Sequence, residues 1–135
     1  MKFLSKKNTS EILTENLIYK KNNSVNNKRL KNLLLKEQYG FCAYSELYLD
    51  QYEREGTDVE HFNETKKYAD DYFNYYAVCT PAHRFKTRKQ REEKFKRLSS
   101  ENSSFFSSLF FQNQDILNTK IGYSNGEYYS INEND

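Results

Sequence analysis

Glu60-His61, Asn74 and His83 are the side chains whose types and order could do chemistry, because the two histidines of the 135-residue chain both fall within residues 57–97. Hydrolysing a phosphodiester needs a base to deprotonate water, a cation to take up charge on the phosphoryl and leaving oxygens, and donors to hold the phosphate. An imidazole titrates near neutrality, which suits His61 to the role of base. Glu60 and His83 can give one oxygen and one nitrogen to a divalent ion, while Asn74 can hold the loop or the imidazole in place, or join the metal shell. Alternation along a regular strand would turn Glu60 and His61 to opposite faces. Both then serve one site only if the strand ends or bends there; otherwise Asp58, on the face of Glu60, is a rival ligand.

Phosphate donors are concentrated just behind His83. Residues 84–97 hold Arg84, Lys86, Arg88, Lys89, Arg91, Lys94, Lys96 and Arg97 against Glu92 and Glu93, a local excess of six positive charges in a chain whose net charge is +2. Charge focused in this way attracts a polyanion. Arg84, Lys86 and Lys89 are the candidate phosphate contacts, and a solvated helix face is the competing explanation.

The elements that must position these residues can be read from local signals. Thr80-Pro81 combines a favoured N-cap with a favoured first helical residue, which predicts a helix from 81 to about 98 with His83 in its first turn, where free N–H groups favour an anion. Ahead of it, residues 57–62 and 73–79 have the composition of strands, separated by a polar stretch over 63–71. Strand, loop, strand and helix make a hairpin closed by a helix. Leu30, Leu33 and Leu34 follow helical spacing over 28–38, with Gly40 at the place of a C-terminal cap. Ser10 can cap a short helix carrying Ile12, Leu13 and Leu17. NNSVNN reads as a loop, residues 41–44 as a short buried strand or turn, 50–56 as an exposed turn, and the segment after Leu98 as a polar loop that dips into the core at Phe105 and Phe106. Ser124-Asn125-Gly126, between TKIGY and EYYSI, suits a type I′ hairpin turn. These elements predict one α+β domain over 1–135, with a core over 28–98 and a peripheral C-terminal hairpin over 119–131.

Composition narrows the class. Hydrophobic residues make up 36% of the chain, and 12 Tyr and 10 Phe supply large amphipathic surfaces for a modest core. Two cysteines without an apolar N-terminal segment argue against export and a disulfide framework, and lead to the expectation of a cytoplasmic protein. The longest apolar runs, at 33–35 and 109–111, are far below membrane-spanning length.

The order acid-His, Asn, His in Glu60-His61, Asn74 and His83 resembles the HNH nucleases of the ββα-metal superfamily. Many members carry two Cys-x-x-Cys pairs that bind a structural zinc. The corresponding positions here look like Cys42-Ala43-Tyr44-Ser45 and Cys79-Thr80-Pro81-Ala82, each keeping only its first cysteine. GFCAYSE, DVEHF and N-x4-C-x3-H-x2-K are most similar to HNH proteins found with ATPase partners or retrons in bacterial anti-phage systems. The resemblance implies a ββα-metal core with N-terminal helices, and a DNA endonuclease using one divalent cation, Mg2+ or Mn2+, with Zn2+ or Ni2+ as alternatives. It makes His61 the general base, Glu60 and His83 metal ligands, and Asn74 an orienting or ligating residue. An ATPase partner is implied too. No structural zinc is expected, since Cys42 and Cys79 are read as small buried hydrophobes. The alternative is a catalytically weak HNH-fold module that binds nucleic acid or a partner protein.

Overall fold

The computed structural model describes residues 4–49, 56–62, 71–90, 119 and 121–131. All but the last residue of the expected turn over 50–56 and of the polar stretch over 63–71, the helix beyond residue 90 and the dip at Phe105 and Phe106 lie outside them. Within the described residues the order is α1 (Glu11–Thr14), α2 (Ser24–Glu37), β1 (Thr57–His61), a 3-10 turn (Tyr72–Asn74), β2 (Tyr75–Cys79), α3 (Thr80–Gln90), β3 (Ile121–Ser124) and β4 (Glu127–Ser130). The architecture is α+β, with two separate two-stranded antiparallel sheets.

Ser10 caps α1 as expected: its hydroxyl accepts from the Ile12 N–H at 3.1 Å and also donates to Glu37. α2 begins four residues before the expected start at 28, because asparagines that read as a loop satisfy a helix end. Asn23 accepts from the Asn26 N–H at 3.1 Å, which supplies the cap. Asn26 and Asn27 also reach back to hold the preceding segment, donating to the carbonyls of Ile18 at 2.8 Å and Lys20 at 2.7 Å.

Leu30, Leu33, Leu34 and Leu35 form the buried stripe of α2 and pack with Ile12, Leu49, Tyr72, Tyr75, Ala77 and Val78. Fully burying a leucine contributes about 1.5–3 kcal/mol, so this stripe is the principal anchor of the helix. At its end Tyr39 takes the left-handed conformation, and the N–H groups of Tyr39 and Gly40 bond back to Lys36 and Leu35, a Schellman motif. Gly40 therefore sits one position past the expected cap. It is needed for room as well, since a Cβ there would lie 2.8 Å from the Tyr48 ring.

In the central hairpin Thr57 pairs with Cys79 and His61 with Tyr75. The outer edge of β2 is closed by a side chain: Gln38 accepts from the Ala77 N–H at 2.7 Å and donates to the Ala77 carbonyl at 2.8 Å. An open strand edge invites pairing with other chains, and Gln38 fills this one from within. The strand expected over 73–79 begins only at Tyr75, because Asp71 accepts from the Phe73 N–H at 2.9 Å and folds Tyr72–Asn74 into the 3-10 turn. α3 starts directly at Thr80, so the end of β2 feeds His83 into the first turn of the helix.

Candidate functional site

β1 and α3 together build one polar cluster. Asp58 and Glu60 alternate onto the same face of β1, and His83 meets both: Nδ1 lies 2.8 Å from Asp58 Oδ2, and Nε2 lies 3.5 Å from Glu60 Oε2. A carboxylate accepts, so the contact with Asp58 assigns a proton to Nδ1 and leaves Nε2 as the ring atom that faces Glu60. Glu60 is fully buried, whereas Asp58 and His83 are partly open to solvent.

Lys86, one turn further along α3, supplies the countercharge. Its ammonium donates to Glu60 Oε1, to the His61 carbonyl at 2.9 Å and to the Phe62 carbonyl at 3.0 Å. Three donors meet three acceptors, and the side chain is only 15% exposed. Lys86, expected to grip phosphate, in this structure neutralises a buried carboxylate and ties the end of β1 to α3. The open side of the helix carries different residues. Asp58, Thr80, His83, Arg84, Thr87 and Arg88 line a surface groove, in which Arg84 and Arg88 recur at helical spacing and the Arg88 guanidinium lies 5.3 Å from the Phe85 ring centre. Arg84 is thus where its position in the sequence led one to expect it, beside His83. Lys89 belongs to α3, but its side chain lies outside the described residues.

His61 takes another direction from its neighbour Glu60. Its ring stands edge-on to Tyr19 at 5.2 Å and to Tyr75 at 5.4 Å between centroids, and the residue is 7% exposed. Tyr19 is fixed in turn, since its N–H donates to the Tyr75 hydroxyl at 3.1 Å. The structure thus brings Asp58, Glu60, His83 and Lys86 together and sets the His61 imidazole between two tyrosines. Asn74 is buried at the end of the 3-10 turn, where its backbone carbonyl accepts from the Phe62 N–H at 2.9 Å, next to the His61–Tyr75 pair.

Two of these residues were not singled out as site residues from the sequence. Arg88, counted only as part of the basic run, had a legible signal in its spacing of four from Arg84. Tyr19 had none, because its contact with His61 bridges segments far apart in the chain.

Among the described residues no group of three or more His, Cys, Asp and Glu side chains is arranged to hold a metal ion. Two donors do fit one. His83 Nε2 and Glu60 Oε2 face each other at 3.5 Å, one nitrogen and one oxygen of the kinds that a divalent ion accepts. Asp58 then stands where an outer carboxylate fixes the tautomer and orientation of a ligating histidine.

Cys42 and Cys79 also converge, with Sγ atoms 3.6 Å apart and both thiols free. The Ser45 hydroxyl lies 3.6 Å from Cys79 Sγ. Among the described residues no helix is long and apolar enough to cross a membrane. Comparison with protein-family models, curated proteins and solved structures found no match to this chain, so the site itself has to support any functional reading.

Proposed function

We propose that the chain is a divalent-metal-dependent endonuclease with a ββα-metal (HNH) core that hydrolyses phosphodiester bonds in DNA. The observation that carries the reading is the bridge made by His83, which has one nitrogen bonded to Asp58 and the other aimed at Glu60. Glu60 and His83 would hold the cation, Mg2+ or Mn2+, and Asp58 would keep His83 Nε2 available to it. When bound, that cation supplies charge stabilisation to the phosphoryl and leaving oxygens. Arg84 and Arg88, with the N–H groups of the first turn of α3, would hold the backbone phosphate. His61 is assigned the proton from water, with Asn74 holding the adjacent loop. Tyr19, packed edge-on against the imidazole, is itself 39% exposed. An anti-phage setting and an ATPase partner belong to this reading through the resemblance alone.

A second reading, a nucleic-acid-binding module without catalysis, is favoured by two specific contacts. Lys86 already neutralises Glu60, and Tyr19 and Tyr75 enclose His61. Plasmid cleavage with Mg2+, with Mn2+ and with EDTA separates the two. The nuclease reading expects metal-dependent nicking abolished by EDTA. His61→Ala should lower it by about 10²–10⁴-fold, the usual contribution of a general base, with DNA binding retained. Binding without cleavage under every divalent ion would leave the module reading. For either reading, Arg84→Ala with Arg88→Ala should flatten the salt dependence of binding by about one log–log unit for each phosphate that the variant no longer neutralises.

A further inference from the structure

Cys42 and Cys79 come from segments 37 residues apart and take no part in the site above. Cys42 opens the turn after α2, and Cys79 ends β2 one residue before α3. Both are buried, and their sulfurs are 3.6 Å apart. A disulfide bond is about 2.05 Å long, so the sulfurs need approach by only about 1.5 Å.

The surroundings of Cys42 favour its reactive form. Cys42 Sγ accepts the backbone N–H of Cys79 at 3.2 Å and that of Ser45 at 3.4 Å. Burial pushes the Cys42 thiol up, but hydrogen bonds from the Ser45 side chain and from the backbone of Cys79, Ser45 and Tyr44 outweigh it and leave it below the ordinary thiol value. Thiolate character is what a nucleophilic sulfur requires. Cys42 is only 1% exposed, but it borders a cavity of about 410 Å³ together with Leu4, Gln38, Tyr39, Phe41 and Glu46, so a small disulfide must enter that cavity to reach it.

The geometry points to Cys42 and Cys79 as an oxidation site, a dithiol that a low-molecular-weight disulfide converts into an intramolecular disulfide. In the first step the Cys42 thiolate attacks one sulfur of the small disulfide, breaks its S–S bond and expels one small thiolate. A mixed disulfide on Cys42 results. Cys79 Sγ then gives up its proton, attacks Cys42 Sγ and expels the second small thiolate. The two protein thiols are oxidised, the small disulfide is reduced to two thiols, and the protons released are taken up by the departing thiolates. Disulfides of this kind in reducing compartments are typically transient and redox-sensing. This one would clamp the turn after α2 to the residue that launches α3, and a thiol reductant would reverse it.

The test is incubation of the native full chain with glutathione disulfide, followed by alkylation of residual thiols and non-reducing peptide mapping. The expected result is coupled loss of both thiols, a peptide pair joined through Cys42 and Cys79, and recovery of both thiols with dithiothreitol. Two independent, persisting glutathione adducts would overturn the proposal, as would thiols that stay free until urea is added. Cys79→Ser should trap a stable mixed disulfide on Cys42, and absence of that adduct in the folded variant would overturn the assigned attack by Cys42. If Cys79→Ser does not fold, the peptide map of the unaltered chain still decides.

Discussion

β1–β2 and β3–β4 are both antiparallel hairpins, five and four paired positions long, yet opposite forces hold them. β3 and β4 meet through a two-residue turn in which Asn125 and Gly126 have φ of 52° and 83°. These are the conformations a type I′ turn requires, and they match the twist of the strands it joins. Tyr123, Tyr129 and Ile131 remain exposed around it. β1 and β2 are separated instead by a long connection, and every residue of β2 is buried. Their pairing depends on Gln38 at the edge, on the leucines of α2 and on Lys86 from α3. A hairpin specified by its turn can form locally, whereas one specified by its neighbours can carry a buried carboxylate that no isolated hairpin could tolerate.

Lys86→Met should break this comparison most severely. It leaves Glu60, 0% exposed, without its ammonium, and loss of one member of a buried ion pair typically costs about 3–5 kcal/mol. Urea unfolding should show a midpoint far below that of the unaltered chain, and adding Glu60→Gln should recover much of the loss. Glu127→Gln on the exposed hairpin should stay within about 0.5 kcal/mol. If Lys86→Met were equally mild, the cluster would be surface decoration and the contrast between the hairpins would fail.

A smaller effect is expected from pH. The Lys6 ammonium lies 4.5 Å from the centre of the Tyr72 ring and 4.1 Å from that of Tyr76, and donates to the Tyr75 carbonyl. Burial pulls its pKa down from 10.5 to about 7, against the opposing attraction of Glu37 and Asp71. The unfolded chain therefore binds a proton that the folded chain lacks between about pH 7 and 10.5. Stability rises with pH wherever the unfolded state holds more protons, so the cost of burying Lys6 is fully present below pH 7 and fades above it. Tyr72, pushed up to about 12 mainly by burial, titrates above this window. Thermal midpoints should rise through pH 7–9 in the unaltered chain, and Lys6→Met should remove most of that slope. An identical slope in the variant would show that Lys6 is solvated.

What was legible in the sequence follows the same division between local and long-range causes. The Ser10 cap, the start of α3 at Thr80-Pro81 and the Asn125-Gly126 turn act over a few residues, so residue type alone discloses them. Asp58 was visible as a rival ligand on the face of Glu60 because alternation along a strand is also local. The placement of Lys86 was not, since it depends on how α3 registers against β1, and a run of basic residues looks alike on either face. Gln38 and Tyr19 were hidden for the same reason: their partners, Ala77 and His61, lie 39 and 42 residues away. Asn23, Asn26 and Asn27 misled in the opposite direction, because a composition typical of loops here caps a helix and clamps the strand of chain that carries Tyr19.

The mildest break in the comparison is Gly126→Ala. Gly126 has φ of 83°, and nothing lies within 4 Å of the position an added Cβ would take, so any cost arises from the backbone alone. Forcing an L-residue into the left-handed region costs about 1–2 kcal/mol. That loss should stay local, because the β3–β4 hairpin owes its geometry to the turn. Amide exchange should quicken across residues 121–130, while protection in β1, β2 and α2 and the global urea midpoint stay nearly unchanged. Gly122→Ala is the matched control. Its Cβ would meet the Tyr129 ring at 2.3 Å, but that ring belongs to a half-exposed side chain that can swing aside, so exchange should change less than for Gly126→Ala. If Gly126→Ala instead lowered protection in the central hairpin, the two sheets would be energetically coupled, and β3–β4 would have to be counted part of the cooperative core rather than a separately specified unit.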